Sequence, residues 1–437
     1  MLTRLDLRGL APGELARRLP RPNAAGGEPV DAVRAILAEV REKGDDAVLS
    51  LTERFDGVRP GALSVPPAEC DAALARIDST LRAALHAAAG SIRAFQEAER
   101  APEVTHEAGG IVTRTLRRPV DRAGCYVPGG RAVYPSTVLM TVIPAKVAGV
   151  PFVSVCVPPG PDGTVPDVVL AAASIAGADA VHPIGGAQAI AALAYGTASV
   201  RAVDVIVGPG NVFVAVAKRE VAGEGLVGVP SAFAGPSEVV VVADGTVEAS
   251  HAAVDVIVQA EHGPEGLAWL VSWDEATAEV IESEVGRLVA DSPRRADIEA
   301  TLGKSGFSVL VDTPEAAMEV VNAIAPEHLE LLCDDPEALV PLVRHAGAVF
   351  CGPMSPASIG DYWAGPSHVL PTFGSARFAG ALTPDDFTKP VHVVTVSAAG
   401  FTAAAPHVIA LAEAEGLAAH ADSIRLRLPD SSRGRAS

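Results

Sequence analysis

Gln259 and His262, together with Asp361 and His420 much further along, are residue types that could hold one metal ion. The first two stand three apart in Val254-Asp-Val-Ile-Val-Gln-Ala-Glu-His262, so on a helix they share one face. Two ligands on one helical turn, joined by a distant carboxylate and a distant imidazole, suit zinc. Gln is an uncommon zinc ligand, and a histidine just before Gly263-Pro264 is equally a solvated helix end. The spacing leaves both readings open.

A second group, Ala325-Pro326-Glu327-His328-Leu329-Glu330, offers acid–base chemistry. A residue before proline avoids the helical region, so the preceding helix should stop near Ile324. Pro326 then suits the first position of a new helix, with Glu327 and His328 in its first turn, where the amide dipoles favour a carboxylate. Neighbouring side chains on a helix diverge, which suits separate roles: one activates water, the other moves a proton. A plain charged helix start is the competing reading. Gly360-Asp361-Tyr-Trp-Ala-Gly365-Pro366-Ser-His368-Val-Leu-Pro371 places a carboxylate and an imidazole in a loop after a strand, where chemistry usually resides. Glu415 and His420, in the tail, read by themselves as solvated helix-end residues.

Three glycine turns could admit a phosphate-bearing ligand: Gly124-Cys-Tyr126-Val-Pro-Gly129-Gly130, Gly185-Gly186-Ala-Gln188 and Gly208-Pro-Gly210-Asn211. Glycines at strand ends let a ligand reach the backbone, and helix N-termini favour phosphate. No GxGxxG stands in a strand-turn-helix setting and no Walker A sequence occurs, so ordinary tight turns remain an equal reading.

The elements that must position these groups alternate. Strands are expected at Phe152–Val157, Ala180–Ile184, Val203–Val207 and Glu238–Ala243, with helices at Thr141–Gly149, Pro166–Ile175 and Ala187–Tyr195. A second series has strands at Leu267–Ser272, Ser308–Asp312 and Ala348–Cys351, and helices at Glu248–Glu261, Thr277–Val289 and Pro314–Ile324. Such alternation gives an α/β protein with parallel sheets covered on both faces: two doubly wound, Rossmann-like domains facing a cleft. Residues 1–110 are mostly helical in pattern, with a linker at Pro20–Pro29. Residues 381–437 form a short tail with a strand at Val391–Val396, a helix at Ala404–Glu415 and a polar end at Pro429–Ser437; it is too small to bury a core alone. The expected division is an N-terminal arm at 1–27, a first α/β domain from 28–124 with 239–380, a second at 125–238, and the tail.

Composition agrees. Of 437 residues, 49% are hydrophobic but only 4% aromatic, the balance of an aliphatic core with buried parallel strands. A net charge of −19 argues against nucleic acid and anionic membranes as partners. Pro and Gly interrupt the charge-free stretches at 180–200 and 390–412, so neither reads as a membrane span. The first residues lack the apolar core of a signal peptide, and Cys70, Cys125, Cys156, Cys333 and Cys351 are scattered without a CxxC. Both points favour reduced, buried thiols in a cytoplasmic protein.

Taken together, Tyr126-Val-Pro-Gly-Gly, Tyr134-Pro-Ser-Thr-Val-Leu-Met140, Ile143-Pro-Ala-Lys-Val-Ala-Gly149, Gly185-Gly-Ala-Gln-Ala-Ile, Gly208-Pro-Gly-Asn, Ala234-Gly-Pro-Ser-Glu238, Gln259-Ala-Glu-His-Gly, Ala325-Pro-Glu-His-Leu-Glu-Leu, Gly360-Asp-Tyr and His368-Val-Leu-Pro-Thr resemble histidinol dehydrogenase over roughly residues 28 to 428. The resemblance implies a homodimeric zinc enzyme of histidine biosynthesis that oxidises L-histidinol to L-histidine in two NAD-dependent steps through an aldehyde. By position it implies zinc ligands at Gln259, His262, Asp361 and His420, and the acid–base pair at Glu327 and His328. It likewise implies NAD contacts at Tyr126, Gln188 and Asn211, and substrate contacts at Ser237, His368 and Glu415 as well as at the zinc ligands and His328. It also implies a tail that reaches into a neighbouring subunit's site. Departures stand at Ser367, where Asn is usual, at Val205 for a frequent Lys, at Val258 for a small polar residue, and at Ser231, a position often acidic. They keep a second enzyme reading in view: a related zinc- and NAD-dependent dehydrogenase of another polyfunctional alcohol. A silent ligand-binding protein would not need both Glu327 and His328. A zinc hydrolase would not need the turns at Tyr126, Gln188 and Asn211.

Overall fold

The structure, a computed structural model, describes residues 1–20, 29–130, 132–231, 237–262 and 266–429, with the backbone alone described at His262. The expected linker at Pro20–Pro29 and the polar end at Pro429–Ser437 lie almost wholly outside the described residues. In chain order the strands are β1 (Thr3–Asp6), β2 (Val104–Ala108), β3 (Ile111–Pro119), β4 (Arg122–Tyr126), β5 (Phe152–Val157), β6 (Ala180–Pro183) and β7 (Val205–Val207). They continue with β8 (Glu238–Ala243), β9 (Leu267–Ser272), β10 (Gly306–Leu310), β11 (His328–Leu332), β12 (Ala348–Cys351) and β13 (Thr388–Val396). The chain divides into one unit of residues 1–100 with 120–387 and another of 101–119 with 388–437.

The first unit holds two parallel sheets, ordered β1-β10-β9-β8-β11-β12 and β6-β5-β4-β7. In β8 every residue is buried, and alternate side chains enter different cores. Val240 and Val242 meet Leu15 and the apolar face of helix Pro314–Ile324. Val239, Val241 and Ala243 meet helices Ala249–Val258, Glu275–Asp291 and Arg295–Ser305. The period of two along a strand thus explains why a run of valines serves a sheet covered on both faces. The smaller sheet is built alike. Cys125, Val153 and Val155 share one core with helices Ser79–Glu99, Pro135–Ala148 and Asp167–Ala176. Tyr126, Cys156 and Ile206 share the other with helices Val30–Lys43, Gly186–Tyr195 and Val212–Gly223.

Three expectations need correction. Helices in 30–99 belong chiefly with the smaller sheet and not with 239–380: Val33, Ile36 and Val40 on one and Leu85, Ala89 and Ile92 on another cover that sheet, although Ser91 and Gln96 also donate to the carbonyls of Trp363 and Gly365. Their apolar stripes match the alanine-rich helices of that sheet, which admit close approach. The arm is not separate, because β1 forms an edge of the larger sheet through Thr3–Asp6 beside Phe307–Leu310. Most importantly, Glu327 and His328 do not begin a helix. Helix Pro314–Ile324 stops at Ala325, which is left-handed with φ 56°, and after Pro326 the chain enters β11 between β8 and β12. All five residues of β11 are buried, with Leu329 and Leu331 on one face and His328 and Glu330 on the other. A polar pair on the buried face of a central strand looks, in sequence, like a solvated helix start.

The second unit is an antiparallel sheet, β13-β3-β2, with helices Ala398–Ala414 and Ala418–Arg425. The tail therefore gains its packing partner from the hairpin at 104–119, whose first strand, Val104–Ala108, lies in the stretch 1–110 expected to be mostly helical. Gly400 has no room for a side chain, since a Cβ there would lie 2.7 Å from the Gly109 carbonyl oxygen. Among the described residues no helix is long and apolar enough to cross a membrane.

Candidate active site

Glu327 and His328, the candidate acid–base pair, stand at the amino edge of the larger sheet, where β11 meets β8 with His328 opposite Val239. The main chain of one residue, Glu238, organises both side chains. The N–H of Glu238 donates to Glu327 Oε2 at 2.8 Å, and the carbonyl of Glu238 lies 3.1 Å from His328 Nδ1. A carbonyl oxygen only accepts, so Nδ1 carries the proton and Nε2 is the nitrogen left for chemistry. Nε2 is sealed from solvent without a hydrogen-bond partner and lies 3.5 Å from Asp361 Oδ1. Burial alone would depress this imidazole; the carboxylates of Glu327 and Asp361 outweigh it and hold it well above its ordinary value.

Asp361 comes from the short helix Ala357–Tyr362. Its carbonyl accepts from His368 Nδ1 at 3.0 Å, and His368 Nε2 faces Thr137 Oγ1 at 3.1 Å. Both ring nitrogens of His368 are thus engaged within the protein, and burial lowers its pKa. Ser367, a departure from the family pattern, donates its hydroxyl to the Met140 carbonyl at 3.0 Å and fastens the same loop to helix Pro135–Ala148.

Sequence reasoning missed three carboxyl groups here. Glu238 is buried behind the pair, its side chain accepting from the Phe373 N–H, and burial pushes it up to about 8. Glu330, two residues beyond His328 on the same face, accepts from the Ala357 N–H at 2.9 Å, at the start of the helix that carries Asp361. Burial, then the carboxyl group of Asp255, pushes Glu330 up, and burial raises Asp255 as well. Asp255 precedes Gln259 by one helical turn. The usable signal was the period of two from His328 to Glu330.

Gln259 caps the C-terminal end of helix Ala249–Val258, is only 2% exposed, and leads into the turn Ala260–His262. A Cβ on Gly266 would lie 3.1 Å from the Gln259 carbonyl and 3.3 Å from that of Ser237, so glycine there lets the two segments close together. The structure therefore gathers Ser237, Gln259, Glu327, His328 and Asp361 around the amino ends of β8, β9 and β11. Glu415 and His420 are exposed residues of the second unit. Among the described residues no three His, Cys, Asp or Glu stand together as a metal site. The expected donors, two imidazole nitrogens with a carboxylate and an amide oxygen, are chemically fit for zinc.

The glycine turns gather at the carboxyl ends of β4, β6 and β7. Strand order reverses between β4 and β7, the kind of switch point where open α/β sheets bind ligands. Tyr126 Oη accepts from the Gly186 N–H at 3.1 Å. Gln188, buried behind that turn, has neither amide atom hydrogen-bonded within the protein; buried amides rarely stay so without a ligand or water to satisfy them. Asn211 caps helix Val212–Gly223, its Oδ1 accepting from Phe213 N at 3.0 Å and Val214 N at 3.2 Å. Gly208 has φ +105°, and a Cβ would fall 2.0 Å from the Tyr126 carbonyl oxygen. The cysteines are free, and burial pushes Cys125 up to about 12, which suits a small hydrophobe and not a thiolate nucleophile.

Two parallel sheets covered on both faces, one ending in glycine turns around an unsatisfied amide and the other in a buried carboxylate–imidazole pair, make an α/β enzyme of the dehydrogenase class. Within that class the chain belongs to the histidinol dehydrogenase family, whose model matches residues 19–428. It is 46% identical over 420 residues to the histidinol dehydrogenase of Parasynechococcus marenigrum, covering 96% of this chain and 95% of that one. Against the Thermobifida fusca histidinol dehydrogenase it is 43% identical over 435 residues, with 98% of each chain covered. The crystal structure of histidinol dehydrogenase from Elizabethkingia anophelis superposes with a TM-score of 0.92 at 31% identity, covering 98% of both chains. Like its family, the protein is an NAD-dependent oxidoreductase.

Proposed function

We propose that this protein oxidises L-histidinol to L-histidine through the aldehyde, at a zinc- and NAD-dependent site that a second copy of the chain completes, in the cytoplasm. The observation that carries this reading is the double grip of the Glu238 main chain on Glu327 and His328, which supports different chemistry for each. With Nδ1 protonated against the carbonyl, His328 offers Nε2 to take the hydroxyl proton of the alcohol as its hydride departs. A proton acceptor must be neutral, and Asp361 is one of the charges that keep His328 protonated. Engaging that carboxylate elsewhere lowers the imidazole toward the working state.

Glu327 has one oxygen held by the Glu238 N–H. Its position suits taking a proton from water as the water adds to the aldehyde. The resulting hydrate loses a second hydride and a proton to become the carboxylate. Water is consumed once, and two hydrides and three protons leave. Gln259, His262, Asp361 and a partner's copy of the tail histidine at 420 would hold zinc, which would orient the substrate's amino and imidazole nitrogens. Two NAD molecules, bound one after the other with Tyr126, Gln188 and Asn211 around them, would each accept one hydride. Ser237, His368 and the partner's copy of the tail glutamate at 415 complete the substrate contacts; for His368 this requires giving up a bond to Thr137 or to Asp361.

Metal analysis together with NADH formed per histidinol consumed tests the reading. Two NADH per substrate in a zinc-bearing protein are expected. A single NADH with released aldehyde, or no reaction with histidinol, would overturn it.

A further inference from the structure

Lys218 sits inside helix Val212–Gly223 and is 1% exposed. Among the described residues no charge compensates it: burial lowers its ammonium to about 7. Its Nζ donates to the carbonyl of Gly208, at the turn before its own helix, and to the carbonyl of Ser231 at 3.2 Å. The N–H of Gly208 in turn donates to the Ser231 hydroxyl at 3.1 Å. Gly208 is therefore held on both sides, its amide by Ser231 and its carbonyl by Lys218. It is also wedged against Tyr126, where even a methyl group would not fit.

Burying an amine without a counter-ion is unfavourable, and an apolar side chain of the same length would avoid that cost. The lysine has a use the apolar side chain lacks, since two backbone carbonyls converge on it. An amine has two N–H groups and an ammonium three, so either form satisfies both carbonyls. We propose that Lys218 is a positioning residue: with Ser231 it clamps Gly208 and so fixes the shape that Gly208-Pro-Gly-Asn211 presents to a dinucleotide. The inference rests on the reading of that turn as part of the NAD site. Lys218 itself touches no reacting atom, because Glu327 and His328 belong to the other sheet.

The test uses the full-length protein, with NADH fluorescence titration, steady-state kinetics and thermal melting. Lys218→Met should weaken NADH binding and raise the KM for NAD by about tenfold, the scale of one or two lost buried hydrogen bonds. Turnover at saturating NAD and the KM for the alcohol should stay within about twofold, because the change removes binding and not chemistry. Lys218→Gln, whose donor is one bond shorter, should recover part of the affinity. Ser231→Ala should show a smaller rise of the same kind. A folded Lys218→Met protein with ordinary NADH affinity, or one that loses turnover with affinity intact, overturns the clamp. If Lys218→Met does not fold, unchanged NADH affinity in Ser231→Ala overturns it. Failure of the unsubstituted protein to bind NADH at all would instead sink the reading of the turn.

Discussion

The main-chain carbonyl of Glu238 accepts from Nδ1 of His328 at 3.1 Å, and this bond selects the nitrogen that can work as a base. Because Nδ1 is occupied, proton transfer in the proposed reaction passes through Nε2, beside Asp361. Asn in place of His328 keeps a polar group but has no basic nitrogen. His328→Asn should lower turnover by roughly a hundredfold or more, the usual scale of general-base catalysis, with zinc content retained. Turnover close to that of the unsubstituted enzyme would remove His328 from the mechanism.

The side chain of Glu238 gives a separate pH signature. Burial, reinforced by the charge of Glu327 and opposed by the Phe373 N–H, pushes it from 4.5 to about 8. The folded state therefore holds a proton between those values that the unfolded chain has released. The stability this contributes is fully present below 4.5 and is lost as pH rises through 8. Glu238→Gln stays neutral and keeps an acceptor for Phe373. Its stability relative to the unsubstituted protein should therefore grow between pH 5 and 9, by roughly 2 kcal/mol or more. Parallel melting curves across that range would show the two proteins converging at low pH; a constant difference would refute the assignment.

Glu330 links the strand of His328 to the helix of Asp361 through the Ala357 N–H. Glu330→Leu removes the acceptor and leaves that amide buried and unsatisfied, a change worth about 1–3 kcal/mol. Asp361 should lose its fixed position, and zinc affinity measured by chelator competition should fall at least about tenfold. Glu330→Gln, which still accepts from Ala357, should lose far less. Equal zinc affinity in both variants would show that the link is irrelevant to the metal.

The alternation of apolar runs and helices made both parallel sheets legible, since a strand buried on both faces announces itself as a run such as Glu238–Ala243. The glycine turns were legible for a similar reason: at Gly208 only glycine fits against Tyr126. What escaped were β1, β4 and, most consequentially, β11. Its His328 and Glu330 are polar yet buried, and their partners Glu238 and Asp255 lie 90 and 75 positions away in sequence, so the local period of two does not say what buries them. The packing of residues 30–99 on the smaller sheet escaped for the same reason. An apolar helix stripe shows that it needs a partner but does not say which one.

The last prediction concerns the tail. Glu327 belongs to the first unit and His420 to the second, and in the proposed site the histidine at 420 comes from the other copy. Glu327→Gln and His420→Asn should each be nearly inactive alone, the first through lost water activation and the second through a lost ligand. When the two variants are unfolded together and reassembled, about half the dimers should be mixed, and each mixed dimer has one site with both defects and one with neither. Activity should return to about a quarter of that of the unsubstituted enzyme, while total zinc stays at about half of the sites, as in the unexchanged mixture. If each site used residues of one chain only, every site would keep a defect and the mixture would stay inactive.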